Sequence, residues 1–262
     1  MRDRLKGALA MVSGSGPATG STWLIYHRVG GQSPDELDVA SDAFANQMQV
    51  LAQHKVLSLD DAVDRLAVGD DRASFVLTFD DGFGEVYANA WPVLRELQLP
   101  FTIYLTTAYV GKRLSWSGST AREQGAAALT WLQLSEMVES GLCTIGNHTH
   151  THARPEVLTE GELDACSDEI RKNLGLTPHH YAYTWGIAVP RMEDALRQRF
   201  RSAATGQLGR NTASTDVIRM RRVPVRRTDP IPFFKAKLVG DLLPEKLYAG
   251  VVATAKKAGL RG

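Results

Sequence analysis

Two short stretches carry residues able to do chemistry together. One is His148-Thr149-His150-Thr151-His152, which places three of the chain's seven histidines within five residues. Neutral imidazole is the commonest protein ligand for transition metals, so the clustering points to a metal. Spacing narrows the choice. On an extended strand His148 and His152 share a face but lie roughly 13 Å apart. If the strand ends near His148 and a helix-like turn follows, residues four apart come within about 6 Å. His148 and His152 are then the candidate ligands, and His150 points elsewhere. The plainer alternative is a polar surface loop.

The second stretch is Asp80-Asp81-Gly82, which follows the apolar run 74–79. Two adjacent carboxylates at the end of a buried strand cannot both be left desolvated and unpaired. A metal ion neutralises one and leaves the other free as a base. One Asp with His148 and His152 makes a two-His, one-carboxylate site with open positions. Zinc in such a site acidifies water and polarises a carbonyl, and the free Asp can take the proton. A turn carrying a helix cap is the other reading of Asp-Asp-Gly. The same ligand set also serves non-haem iron oxygenases, but neither the adjacent second Asp nor the strand pattern favours that chemistry.

The elements that must position these residues follow from apolar runs and their punctuation. Strands are expected over 22–29, 74–79, 101–105, 142–146, 180–183, 202–205 and 220–225, short and without polar alternation. Helices are expected from Ser41 to about His54 (Phe44, Met48 and Leu51 inward), over 60–66, and around Val86 to Leu94 with a kink or late start at Pro92. Further helices run from Thr130 to Ser140, from Thr159, from Pro190, and over 233–259. Residues 107–129 form a long loop. Alternation of this kind implies a parallel sheet covered on both faces. A closed or nearly closed β/α barrel is the most economical architecture, with an open doubly wound sheet second. In either, chemistry collects where strands end, and there lie His27, Asp80-Asp81, the histidine stretch and the 183–186 segment.

Size and composition set outer bounds. At 262 residues, 44% hydrophobic and 23% charged, the chain suits one large globular domain. Residues 1–21 read as an N-terminal extension and Gly/Ser/Thr-rich linker, and 22–262 as the catalytic domain. A net charge of +1 gives no electrostatic case for nucleic acid. Cys143 and Cys166 read as small core residues rather than a disulfide. No run reaches the roughly 20 apolar residues of a transmembrane helix. The N-terminus makes a poor signal peptide, so a cytoplasmic location is expected. Nothing in the composition sets an oligomeric state.

Thr78-Phe79-Asp80-Asp81-Gly82 and His148-Thr149-His150-Thr151-His152 together resemble the first two motifs of the polysaccharide deacetylase family, the NodB-homology carbohydrate esterases. Tyr26-His27-Arg28-Val29 is similar to a motif of the branch associated with exopolysaccharides, which includes poly-N-acetylglucosamine deacetylases. The resemblance implies a distorted (β/α)7-type barrel, with strands mostly parallel, and a divalent metal: Zn2+, or Co2+ or Ni2+ in its place. It implies removal of acetyl groups, N-acetyl before O-acetyl, from a polysaccharide or oligosaccharide. By position, Asp80 matches the catalytic base, and Asp81, His148 and His152 match the metal ligands. Thr149 falls beside the first ligand at the substrate side. By position the Trp185 backbone N–H matches an oxyanion donor and its ring a wall of the acetyl pocket. Trp116, Tyr183 and Trp185 are the candidates for substrate binding through sugar hydroxyls, and each equally suits a place in the core.

The chain departs from the family twice. The Arg that precedes the third motif and orients the base is missing from Ala182-Tyr183-Thr184-Trp185-Gly186. The late motif Arg221-Arg222-Val223-Pro224-Val225 lacks the usual general-acid His, for which His27 is the candidate substitute, the alternative being a strand-end histidine held in hydrogen-bonded structure. These departures keep open a non-catalytic carbohydrate-binding relative, and the chemistry equally suits an amidase acting on a non-sugar amide.

Overall fold

The computed structural model describes residues 2–14, 16, 18–118 and 125–257. Seven parallel strands close into a barrel: β1 (Ser21–Tyr26), β2 (Ser74–Asp81), β3 (Phe101–Leu105), β4 (Cys143–Asn147), β5 (His180–Ala182), β6 (Ser202–Leu208) and β7 (Met220–Pro224). They pair in chain order, and β7 returns to β1 through Leu24↔Val223 and Ile25↔Pro224. The strands lack polar alternation because both faces are covered; all eight residues of β2 are buried, the two aspartates included. The barrel is distorted, as expected. β4 and β5 share one register pair, Asn147↔Tyr181, and β6 slips against β7 between Ala204 and Leu208.

Helices cover the outside: α1 (Arg2–Ala10), α2 (Ser41–Leu51), α3 (Leu59–Ala67), α4 (Trp91–Glu96), α5 (Trp131–Glu139), α6 (Glu160–Leu174), α7 (Glu193–Arg199), α8 (Ile231–Leu238) and α9 (Leu243–Lys257). In α2, Phe44, Met48 and Leu51 face inward at helical spacing, and Phe44 packs edge-on to Tyr26 of β1 at 5.4 Å. Thr130 caps α5 in a reciprocal capping box with Gln133. Ser41 is instead the first helical residue, behind an Ala40 that offers no side-chain cap. The expected break at Pro92 is a π-helical turn, Val86–Ala90, running into α4, which tolerates Pro in its first turn.

Within the N-terminal segment residues 2–10 form helix α1, and the C-terminal region is two helices joined by a break at 239–242. Ala10 packs with Phe233, Ala236 and Tyr248, and the fully buried Lys6 ammonium donates to Asp229 at 2.7 Å. That partner lies too far along the chain for any local pattern to announce it. Residues 15 and 17 of the expected linker, 119–124 of the expected loop, and the expected helix end at 258–259 fall outside the described residues. Both cysteines are buried and free. Among the described residues no helix is long and apolar enough to cross a membrane.

Candidate active site

A cleft of about 330 Å³ opens over the carboxyl ends of the strands, and Asp80, Asp81, His148, His152, His27, Trp116, Trp185 and Arg222 all line it. β2 delivers both aspartates and then turns sharply. Asp81 has φ +74 and Gly82 φ +84, and a Cβ on Gly82 would meet Leu105 at 2.7 Å. Glycine is required there because neither the backbone nor the space admits a side chain.

β4 ends at Asn147, and the turn after it is tied from several sides. The Thr149 N–H donates to Asn147 Oδ1 at 2.9 Å, and the Ala153 N–H donates to Thr149 Oγ1 at 3.0 Å. Glu162 of α6 accepts from both the N–H and hydroxyl of Thr151 at 2.8 Å. Thr149 and His152 both take left-handed φ, +66 and +57. With Asp81 and Trp185 (φ +61), that makes left-handed backbone at four non-glycine residues around the site, a conformational cost held in place by surrounding bonds. Its effect is to swing His152 back over His148, with ring centroids 5.2 Å apart; the closeness is as expected, but a left-handed turn achieves it in place of the expected helix-like one. His150 does point away, to the Thr107 hydroxyl at 2.9 Å.

Both imidazoles converge on one oxygen. His148 Nε2 and His152 Nε2 each stand 3.3 Å from Asp81 Oδ1, and the three candidate ligand atoms lie within 4.8 Å of one another. Asp81 Oδ1 is buried and accepts no well-formed hydrogen bond, a costly position for a carboxylate oxygen unless a cation completes it. His148 Nδ1 lies 2.8 Å from the Ala182 carbonyl, so it carries the proton and Nε2 keeps its lone pair for a metal. Trp116 stacks on the His152 ring at 4.3 Å, and Trp185 meets it edge-on at 5.3 Å. The donor set and its packing fit a divalent ion bound by one carboxylate and two imidazoles. Burial opposes the charge on Asp81, but the two imidazoles hold its carboxyl well below the usual range. Burial also opposes a charged His148, yet Asp81 and Asp80 raise its pKa; at His152 burial prevails and lowers it.

Asp80 has a different neighbour. Arg222 of β7, itself buried, donates from Nη1 to Asp80 Oδ1 at 2.7 Å and from Nη2 to Oδ2 at 2.8 Å, while its Nε–H is held by the Thr205 carbonyl at 2.9 Å. Two-pronged pairing fixes the carboxylate plane as well as its charge. Burial pushes the Asp80 pKa up, but Arg222 and then His148 outweigh it, so the group stays below its ordinary value. The guanidinium missing from the third motif is therefore supplied by a strand that follows it. Sequence reasoning passed over Arg222 while searching the same stretch for a histidine. An arginine at an inward position of a buried strand was the available signal.

Two expected substrate residues are not at the cleft. Tyr183 is fully buried, packed edge-on to Tyr181 at 5.1 Å, because the chain leaves β5 into a 3₁₀ turn and presents Trp185 instead. Thr149 is also fully buried and spends its hydroxyl on the turn. Trp185 is 39% exposed with φ +61, and the Arg154 guanidinium lies over its ring at 4.8 Å.

The sequence profile described as polysaccharide deacetylase matches residues 67–201. The chain belongs to the polysaccharide deacetylase family. It is 27% identical over 175 residues to a poly-beta-1,6-N-acetyl-D-glucosamine N-deacetylase of Staphylococcus epidermidis, covering 60% of this chain and 58% of that protein. It is 27% identical over 115 residues to the protein of the same name from Staphylococcus aureus, covering 43% and 37%. The match thus spans less than two thirds of either relative. Among solved structures, IcaB from Ammonifex degensii superposes with a TM-score of 0.69 at 25% identity, covering 84% of this chain and 97% of that one. A polysaccharide deacetylase from Bacillus cereus shares the fold with a TM-score of 0.70 at 24% identity, covering 84% and 69%. Within this chain the family profile contains Asp80, Asp81, His148, His152 and Trp185, whereas His27 and Arg222 lie outside the matched residues.

Proposed function

We propose that this deacetylase is a metal-dependent hydrolase that removes N-acetyl groups from a polymer of N-acetylglucosamine, the β-1,6-linked polymer first. The observation that carries the reading is the division of labour between adjacent aspartates: Asp81 faces two imidazoles, while Asp80 is oriented by Arg222 in the same cleft. The names of the staphylococcal relatives support the choice of polymer.

Asp81, His148 and His152 would hold the ion, Zn2+ or a substitute such as Co2+ or Ni2+. When bound, it supplies Lewis-acid polarisation of the acetamide carbonyl and a water of lowered pKa. Asp80, ionised and fixed by Arg222, would serve as the general base, taking a proton from a water in the cleft. The Trp185 backbone N–H donates to the developing oxyanion, and the rings of Trp185 and Trp116 wall the acetyl group. His27, half-buried on the cleft wall, hands a proton to the departing amine. The Arg222 fork favours this catalytic reading over a sugar-binding relative without activity, since a binding site has no need of an oriented buried carboxylate.

The test is acetate release from β-1,6- and β-1,4-linked N-acetylglucosamine oligomers. Release from the β-1,6 series, abolished by chelator and restored by Zn2+, Co2+ or Ni2+, is expected. Chelator-insensitive release, or hydrolysis only of non-sugar amides, would contradict it.

A further inference from the structure

One side of the cleft is built by the segment between Arg28–Val29 and Asp38–Val39, a short parallel ribbon outside the barrel. Asp38 closes its base by accepting from the Gly31 and Ser33 N–H groups at 2.9 and 2.8 Å. At the tip, Asp35 and Leu37 line the cleft. Glu36, between them, turns outward. Its carboxylate accepts from Arg2 of α1 at 2.8 Å and from the Thr228 hydroxyl at 2.7 Å, with the Lys6 ammonium at 3.8 Å. Its carbonyl accepts from the Arg227 N–H at 2.8 Å. Lys6 is anchored in turn on Thr228 and Asp229, both at 2.7 Å.

We propose that Glu36 is a positioning residue through which α1 and the 227–229 turn hold Asp35 and Leu37 against the substrate, making the N-terminal helix part of substrate recognition. The tip is a turn closed on itself: the Asp38 N–H donates to the Asp35 carbonyl at 3.1 Å and the Leu37 N–H to Asp35 Oδ1 at 3.0 Å. Asp35 and Leu37 therefore move as one unit, and anchoring Glu36 between them places both cleft-facing side chains at once. Asp38 ties only the base. Without the Glu36 anchor the tip is an exposed turn, and its ordering would fall on the substrate as an entropic cost of binding. The metal ligands and Asp80 touch none of these groups, so the chemical step is untouched. This deepens the deacetylase reading and rests on it for its kinetic half.

The experiment compares wild type with Glu36→Gln, Glu36→Ala and Arg2→Ala, reading kinetics on an N-acetylglucosamine oligomer and hydrogen exchange at residues 33–38 without substrate. Glu36→Ala is expected to raise KM about tenfold with kcat within twofold, and to speed exchange at 33–38 by a similar factor. Glu36→Gln and Arg2→Ala fall between it and wild type. Unchanged exchange at 33–38, or a kcat that falls while KM stays constant, overturns the proposal. If Glu36→Ala misfolds, Arg2→Ala at its half-exposed position decides by the same two readouts. Should wild type release no acetate, the deacetylase reading fails, and exchange alone decides whether α1 holds the tip.

Discussion

Among the described residues, two of the clusters of buried charge are built to opposite ends. In the cluster joining α1, α8 and α9, every carboxylate faces a permanent cation. Asp229 meets Lys6 and Lys237, each at 2.7 Å, and Glu245 meets Arg226 at 2.5 Å and Lys237 at 2.8 Å. None of these groups lines the strand-end cleft; the cluster is matched charge buried away from it. In the strand-end cluster, Asp80 is likewise matched by Arg222, but Asp81 Oδ1 is left to two imidazoles at 3.3 Å beside a cleft. Buried charge by itself is no sign of function. What separates the two is the oxygen left incomplete at a cavity.

The comparison can be broken at several points. Asp80→Asn removes the base but keeps the shape, so it should lower kcat by about 10³-fold or more while metal content stays at the wild-type level. Equal loss of metal would mean the two aspartates share one role. Asp229→Asn strands Lys6 and Lys237 without a full counter-charge and should lower stability by about 3 kcal/mol, read by urea unfolding, with metal content in the folded protein unchanged. Arg222→Lys keeps a cation but loses the fork, and should lower kcat by about 10- to 100-fold with little change in KM. No change would reduce Arg222 to ordinary packing.

The smallest effect comes from a third group at the opposite end of β5. His180 lies between Ser202 at 2.8 Å and Asp60 at 3.1 Å. Burial lowers its pKa below the ordinary 6.5 despite the opposing pull of Asp60. The unfolded chain therefore takes up a proton at a pH where the folded chain does not. Stability from this site is complete above about pH 6.5 and erodes as pH falls toward the lowered folded value. Asp60, held at about 2 by its bond to His180 and by Arg201, adds stability that is lost only in stronger acid, below its ordinary 3.8. His180→Gln should flatten the fall of Tm as pH drops below about 6.5. A slope identical to wild type would remove His180 from the account.

The barrel was legible because its strands are short, apolar runs that stop abruptly, and the strand ends carried the residues that look out of place. The approach of His148 and His152 was legible as well, but not its means: the turn is left-handed at Thr149 and His152 rather than helix-like. What stayed hidden depends on pairing across the chain. Arg222 meets Asp80 from 142 residues away, and Lys6 meets Asp229 from 223; neither separation leaves a local trace. Tyr183 was misplaced for another reason. A 3₁₀ turn and the left-handed Trp185 change which side chain faces the cleft one residue after the strand ends, where strand alternation no longer applies.

The central claim is that Asp81, His148 and His152 together hold an ion that Asp80 does not. Elemental analysis of purified wild type, His148→Ala, Asp81→Asn and Asp80→Asn, after equal exposure to Zn2+, tests it most directly. The account predicts about one ion per chain in wild type and Asp80→Asn, and near-complete loss in the other two. Wild-type metal content in folded His148→Ala or Asp81→Asn would contradict it.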